Sequence, residues 1–91
     1  MRRVIISDHA RFEMERRQIS EGMLRQVAIQ PDQMVSSAKG RMTYQSRIAD
    51  SVSGREMLLR VVVEERPDAV FIVTAYKTSK VEKYWQPEVE P

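Results

Sequence analysis

Met57-Leu58-Leu59-Arg60-Val61-Val62-Val63 is the stretch that decides the fold. All of it except Arg60 is apolar, and its three consecutive valines are β-branched, the side-chain type that favours a pleated backbone. A short run that is apolar on nearly both faces belongs to a strand with neighbours on each side. Residues 56–64 therefore read as the central strand of a sheet. Arg60 interrupts that strand, where a charge is costly unless it is paired or meets solvent. Glu56, Glu64 and Glu13 are the candidate ion-pair partners. The alternative is a guanidinium on a concave face, able to grip a phosphate bidentately.

Working outward, Ser51-Val52-Ser53-Gly54 and Pro67-Asp68 are turn material on either side of this strand. Residues 42–49 alternate, with Met42, Tyr44, Ser46 and Ile48 on one face and Thr43, Gln45 and Arg47 on the other. Residues 69–76 form another β-branched and aromatic strand. With four-residue connections at 51–54 and 65–68, Gln45 faces Arg60, Arg47 faces Leu58, and Arg60 faces Val73 with Lys77 further along the same side. Arg47, Arg60 and Lys77 then line one face, an arrangement that a one-residue slip in either hairpin would break. Met34-Val35 reads as an edge strand followed by a turn at Lys39-Gly40. Residues 79–85 read as a single helical turn ahead of Pro87 and Pro91, with Tyr84 and Trp85 either a hydrophobic latch over the core or a base-stacking platform.

Ahead of the meander, Val4, Ile5 and Ile6 suit a short strand within residues 1–6. Ser7 or Asp8 is placed to cap a helix over residues 9–17, and Gln18-Ile19-Ser20 breaks the chain before a second helix capped by Ser20. Met23, Leu24, Val27 and Ala28 make that second helix's apolar stripe, and Pro31 ends it. On the first helix His9, Glu13 and Arg16 fall on one polar stripe, flanked by Phe12 on one side and by Ala10 and Met14 on the other. Either His9 pairs with Glu13 or a backbone group and fixes the helix, or the stripe faces a cleft where Glu13 orients the imidazole and Arg16 attracts an anion. Two helices followed by an antiparallel meander predict one α+β domain over residues 1–91, with the helices on one sheet face.

With 42% hydrophobic and 31% charged residues, the 91-residue composition is that of a folded, soluble domain. No apolar run approaches the ~20 residues that span a bilayer. The apolar stretch Val4-Ile5-Ile6 is far shorter than the ~7–15 residues of a signal-peptide core. The absence of cysteine fits a reducing compartment, so a cytoplasmic protein without membrane contact is expected. Net charge is only +2, but Arg2, Arg3, Arg11, Arg16, Arg17 and Arg25 crowd the first third, with Lys77, Lys80 and Lys83 near the end. That distribution leans toward a nucleic acid or an acidic partner. One histidine, no thiol and no Asp-x-Asp cluster give no zinc or calcium ligand spacing, and three scattered glycines make no phosphate loop. No metal or cofactor is expected.

His9-Ala10, Arg17-x-Ile19-Ser20, Tyr44, Leu59-Arg60-Val61 and Val73-Thr74-Ala75-Tyr76 together resemble a family of small bacterial domains of unknown function that looks like a branch of the RelE/ParE-like toxin superfamily. The resemblance covers residues 6–85. It departs at Gln18, where the family usually has glycine. The resemblance implies a two-helix layer packed on a curved antiparallel sheet, and a toxin neutralised by a cognate antitoxin. RelE-like members cut mRNA, usually in the ribosome; ParE-like members inhibit DNA gyrase.

The leading expectation is therefore a toxin of a toxin–antitoxin system acting as a metal-independent endoribonuclease on mRNA. His9 is the candidate base or acid, since imidazole titrates near neutrality. Arg60, with Arg17 or Arg47, would stabilise charge on the phosphorane. Tyr76, Lys77 or Tyr84 would donate the last proton or stack on a base. Arg16, Arg17, Arg47, Lys77, Lys80, Lys83 and Tyr84 are the candidate nucleic-acid contacts. The alternatives are a non-catalytic, toxin-like protein-binding module and a small RNA-binding domain.

Overall fold

The computed structural model describes residues 2–87. The elements run β1 (Arg3–Ile6), α1 (Asp8–Arg16), α2 (Glu21–Ile29), β2 (Gln33–Ser36), β3 (Met42–Ala49), β4 (Glu56–Arg66), β5 (Ala69–Thr78) and α3 (Val81–Tyr84). A 3₁₀ turn at Ala38–Gly40 links β2 to β3. One five-stranded sheet has the order β1-β5-β4-β3-β2, so the apolar strand around Arg60 does lie in the middle. Strand β2, read from Met34-Val35, is an edge.

The architecture expected from the sequence, two N-terminal helices packed on an antiparallel sheet, is overturned. The chain begins its described structure with a strand, and β1 pairs parallel to β5 through Arg3↔Ala69 to Ile6↔Ile72. The sheet is therefore mixed, and strand outweighs helix, 43% against 29%. The reason lies in chain distance. A tight turn dictates antiparallel pairing for β3, β4 and β5, whereas β1 reaches β5 across more than sixty residues of chain and no local turn sets its direction.

Register follows expectation in one hairpin and not in the other. Asp50 N–H donates to Arg55 O at 2.9 Å, and Gln45 faces Arg60 while Arg47 faces Leu58, as read from the sequence. Between β4 and β5 the connection is only the pair Pro67-Asp68, because Arg66 pairs with Ala69. A bulge follows: Val62 faces Thr74 but Val63 faces Ile72, leaving Val73 without a ladder partner. The shorter turn moves the register by two residues and preserves faces. The bulge adds one more and exchanges them. Arg60 consequently faces Tyr76 instead of Val73, and Lys77 faces Leu59.

Tyr44, Leu59, Val61, Val63, Val70, Ile72 and Ala75 of the sheet share a core with Ala10 and Met14 of α1, Ile19, and Leu24, Val27 and Ala28 of α2. Tyr44 is almost wholly buried because its hydroxyl donates to Glu65 and accepts from Arg2. Ser7 and Ser20 cap α1 and α2 by accepting from Ala10 N–H and Met23 N–H. Beyond Ile72 no strand among the described residues lies beside the outer edge of β5. There Ser7 Oγ donates to Val73 O at 3.2 Å and Arg17 Nη1 to Ala75 O at 3.0 Å, so α1 satisfies carbonyls that would otherwise face water or another chain. Gln18, at the end of α1, has a φ of 57°, the left-handed region that favours glycine.

Candidate nucleic-acid interface

The sheet face away from the core carries the chemistry. Its strands bring Gln33, Gln45, Arg47, Arg60 and Tyr76 together, and the chain after β5 folds back across them. Arg60 Nε donates to Gln45 Oε1 at 2.9 Å, and its Nη1 donates to the Tyr76 hydroxyl at 2.6 Å. The Tyr84 ring lies 4.2 Å from the same guanidinium, and the Trp85 ring 4.4 Å from that of Arg47. Gln45 Nε2 donates to Gln33 Oε1 at 2.8 Å and to Tyr84 O at 3.1 Å. Gln33 in turn donates to Gln86 O at 2.7 Å and accepts from Gln86 N–H at 3.1 Å. Both glutamine side chains are buried, Gln45 completely.

Arg60 is half-buried, and among the described residues no carboxylate forms an ion pair with its guanidinium or with that of Arg47. Glu64, expected as a partner, binds Arg41 and Arg66 instead. The positive charge of Arg60 is held in place by neutral groups and stays available to an anion. Because a guanidinium can only donate, the Tyr76 oxygen is the acceptor in their hydrogen bond, and the phenol proton is free to be given elsewhere.

Of the expected catalytic group, Arg60 and Tyr76 meet, while His9 does not join them. His9 is exposed on the first turn of α1, about 12 Å before Arg17 along the helix axis. Its charged neighbour is Glu13, but that carboxylate is taken by Arg16 at 2.8 Å and Arg17 at 3.0 Å. The hydrogen bond from Arg16 holds the Glu13 carboxyl below its ordinary range, with Arg16 and Arg17 charge adding to it. Arg17 lies at the rim of the open face, 6.0 Å from the Tyr76 ring.

The remaining candidates divide. Arg47 and Tyr84 sit on the open face, and Lys83 lies 5.2 Å from the Tyr84 ring. Lys80 is exposed just before α3, and Arg16 is exposed on α1. Lys77 is on the opposite side of the sheet, bound to Asp50 at 2.7 Å. That bond, with donors from Ser53, lowers the Asp50 pKa to about 2. Arg17, Asp50, Ser53, Met57, Tyr76 and Lys77 line an open hollow of about 600 Å³ at this end of the sheet. Among the described residues no helix is long and apolar enough to cross a membrane.

Gln33 and Gln45 are the site residues that sequence reading does not assign to binding, and Trp85 enters it only as the base-stacking alternative to a hydrophobic latch. The alternation of 42–49 did place Gln45 beside Arg47 on one face. Nothing local signals that Trp85 crosses to Arg47 instead of the core, since the contact spans 38 residues of chain and depends on α3 turning back.

The described site sits within, and just beyond, a region with recognisable relatives. No curated protein and no solved structure matches the chain significantly. The model of a domain of unknown function, DUF4258, matches residues 6–77, from the end of β1 through Lys77. The chain therefore belongs to the DUF4258 family of domains of unknown function.

Proposed function

We propose that this protein acts on single-stranded RNA in the cytoplasm, as a metal-independent endoribonuclease related to the RelE/ParE-like toxins, with mRNA as substrate and a cognate antitoxin as its neutralising partner. The observation that carries the reading is the Arg60–Tyr76 contact at 2.6 Å, a carboxylate-free guanidinium against a phenol whose proton is free. In this reading the 2′-oxygen attacks phosphorus and the 5′-oxygen leaves. Arg60 and Arg17 offset charge growing on the phosphoryl oxygens, and Tyr76 gives its proton to the 5′-oxygen. The 2′-hydroxyl proton passes to water or a phosphoryl oxygen. His9, on the first turn of α1 and away from Arg60 and Tyr76, takes no part in the proton transfer.

The test is cleavage of an unstructured RNA in the presence of chelator, scored for fragments ending in a 2′,3′-cyclic phosphate. Arg60→Ala is expected to slow cleavage about 10²–10³-fold, and Tyr76→Phe by about 10²-fold or more. His9→Ala is expected to cut at nearly the wild-type rate. Cleavage by Arg60→Ala at the wild-type rate sinks the assignment.

A second reading, RNA binding without cleavage, is favoured by one observation. Among the described residues, the side-chain hydrogen bonds and ring contacts of Arg60 and Tyr76 are with each other, Gln45, Tyr84 and Arg17, and none of these side chains is a general base at neutral pH. It predicts salt-dependent retention of intact RNA, weakened by Arg60→Ala.

A further inference from the structure

The chain after β5 occupies the open face in a manner that resembles a ligand more than a core element. No residue of α3 is buried, and no side chain caps it. Residues 81–86 are held by two rings on two guanidiniums and by backbone hydrogen bonds to two glutamine side chains, on a sheet face that also buries Leu58. Aromatic rings lying on arginine planes, beside amides that accept and donate in a plane, are also the contacts by which single-stranded bases are held. Segments fixed by few buried apolar contacts open at low free-energy cost.

We propose that Tyr84 and Trp85 stand in the places of two successive bases of single-stranded RNA. Arg60 and Arg47 are then two base-stacking positions, Gln45 and Gln33 the amides that meet base edges, and the C-terminal segment competes with RNA for them. The inference rests on the RNA reading above and adds to it a location, a stacking geometry and a built-in competitor. RNA binding must lift residues 81–86 from the sheet, and loosening that segment must raise affinity by whatever its closure cost.

The experiment measures binding of a fluorescein-labelled oligoadenylate of about ten nucleotides, a length in the range one small domain covers. It compares the wild-type chain with the double variant Tyr84→Ala, Trp85→Ala at fixed salt. The double variant is expected to bind at least about fivefold more tightly, the factor that two exposed cation–π contacts of ordinary strength amount to. Adding Arg47→Ala to the double variant is expected to remove most of that gain. Equal or weaker binding by a folded double variant, with the wild type binding, overturns the competition and leaves the RNA reading standing. No binding by either protein overturns both.

A second measurement needs no variant. Trp85 is the single tryptophan, so its emission reports the segment directly. Oligoadenylate bound to the wild-type chain is expected to make Trp85 more accessible to acrylamide. Bound RNA that protects Trp85 would mean the ring stacks on the ligand, and the proposal fails.

Discussion

The two faces of the sheet solve the same problem with different physics. Toward the core, Leu59, Val61, Val63, Ile72 and Ala75 are sealed by apolar side chains. That burial is non-directional and rewards area. On the other face, Gln33, Gln45, Arg47 and Arg60 are covered by residues 84–86 through hydrogen bonds and ring contacts with defined geometry. Apolar packing gives a face nothing to exchange for. A cover built from paired polar groups can be replaced, group for group, by a ligand offering the same partners. Glu13 and Asp50 bind cations at the β5 edge and on the core side, whereas among the described residues the guanidiniums of Arg60 and Arg47 form no ion pair.

The contrast breaks first at Leu59. Leu59→Ala is expected to lose about 2–5 kcal/mol in chemical denaturation, because a fully buried side chain leaves a cavity. If any RNA binding is scaled to the folded fraction, it should not change. A loss of affinity in the folded population would mean the faces are not independent.

Gln45→Ala comes next, at about 1–3 kcal/mol, since it strands Arg60 Nε and Tyr84 O and removes one of the donors to Gln33 Oε1. Trp85 emission should respond to this substitution and stay constant in Leu59→Ala under native conditions. If Gln45→Ala leaves stability and emission unaltered, the open face is not held as described.

Gln18→Gly is expected to stabilise, by about 0.5–1 kcal/mol. A non-glycine residue in the left-handed region costs roughly 1–2 kcal/mol, offset in part by the greater freedom glycine gives the unfolded chain. A loss of stability would show that the Gln18 side chain contributes something beyond its backbone.

The last effect lies in the acid slope of stability. The Asp50 pKa falls from 3.8 to about 2 on folding, so its contribution is complete above 3.8 and is lost as pH drops through about 2. Glu13 and Glu21, lowered by Arg16 and Arg11 respectively, act in the same direction below 4.5. Asp50→Asn should flatten stability against pH between about 4 and 2. Gln45→Met, which removes no titrating group, should leave the slope as it is. An unchanged slope in Asp50→Asn would remove Lys77 as the partner that matters.

Much of this was legible in the residues. The β-branched run around Arg60 announced a central strand, the turn residues at 51–54 set one hairpin register, and the serines at 7 and 20 marked both helix starts. Arg60 and Tyr76 are both catalytic candidates on sequence, yet the geometry that joins them is not visible there, because it needs the bulge at Val73. That one unpaired residue sent Lys77 to the core side and Tyr76 to Arg60.

What the chain's order of side chains determined alone is everything whose energy is local: propensity, capping, alternation, and the turn that binds neighbouring strands. Only the tertiary structure decided the parallel seat of β1, the face exchange in β5, and the crossing of Tyr84 and Trp85 onto two arginines. Each of those depends on contacts between groups far apart in sequence, where edge hydrogen bonds, core packing and cation–π geometry are satisfied together or not at all.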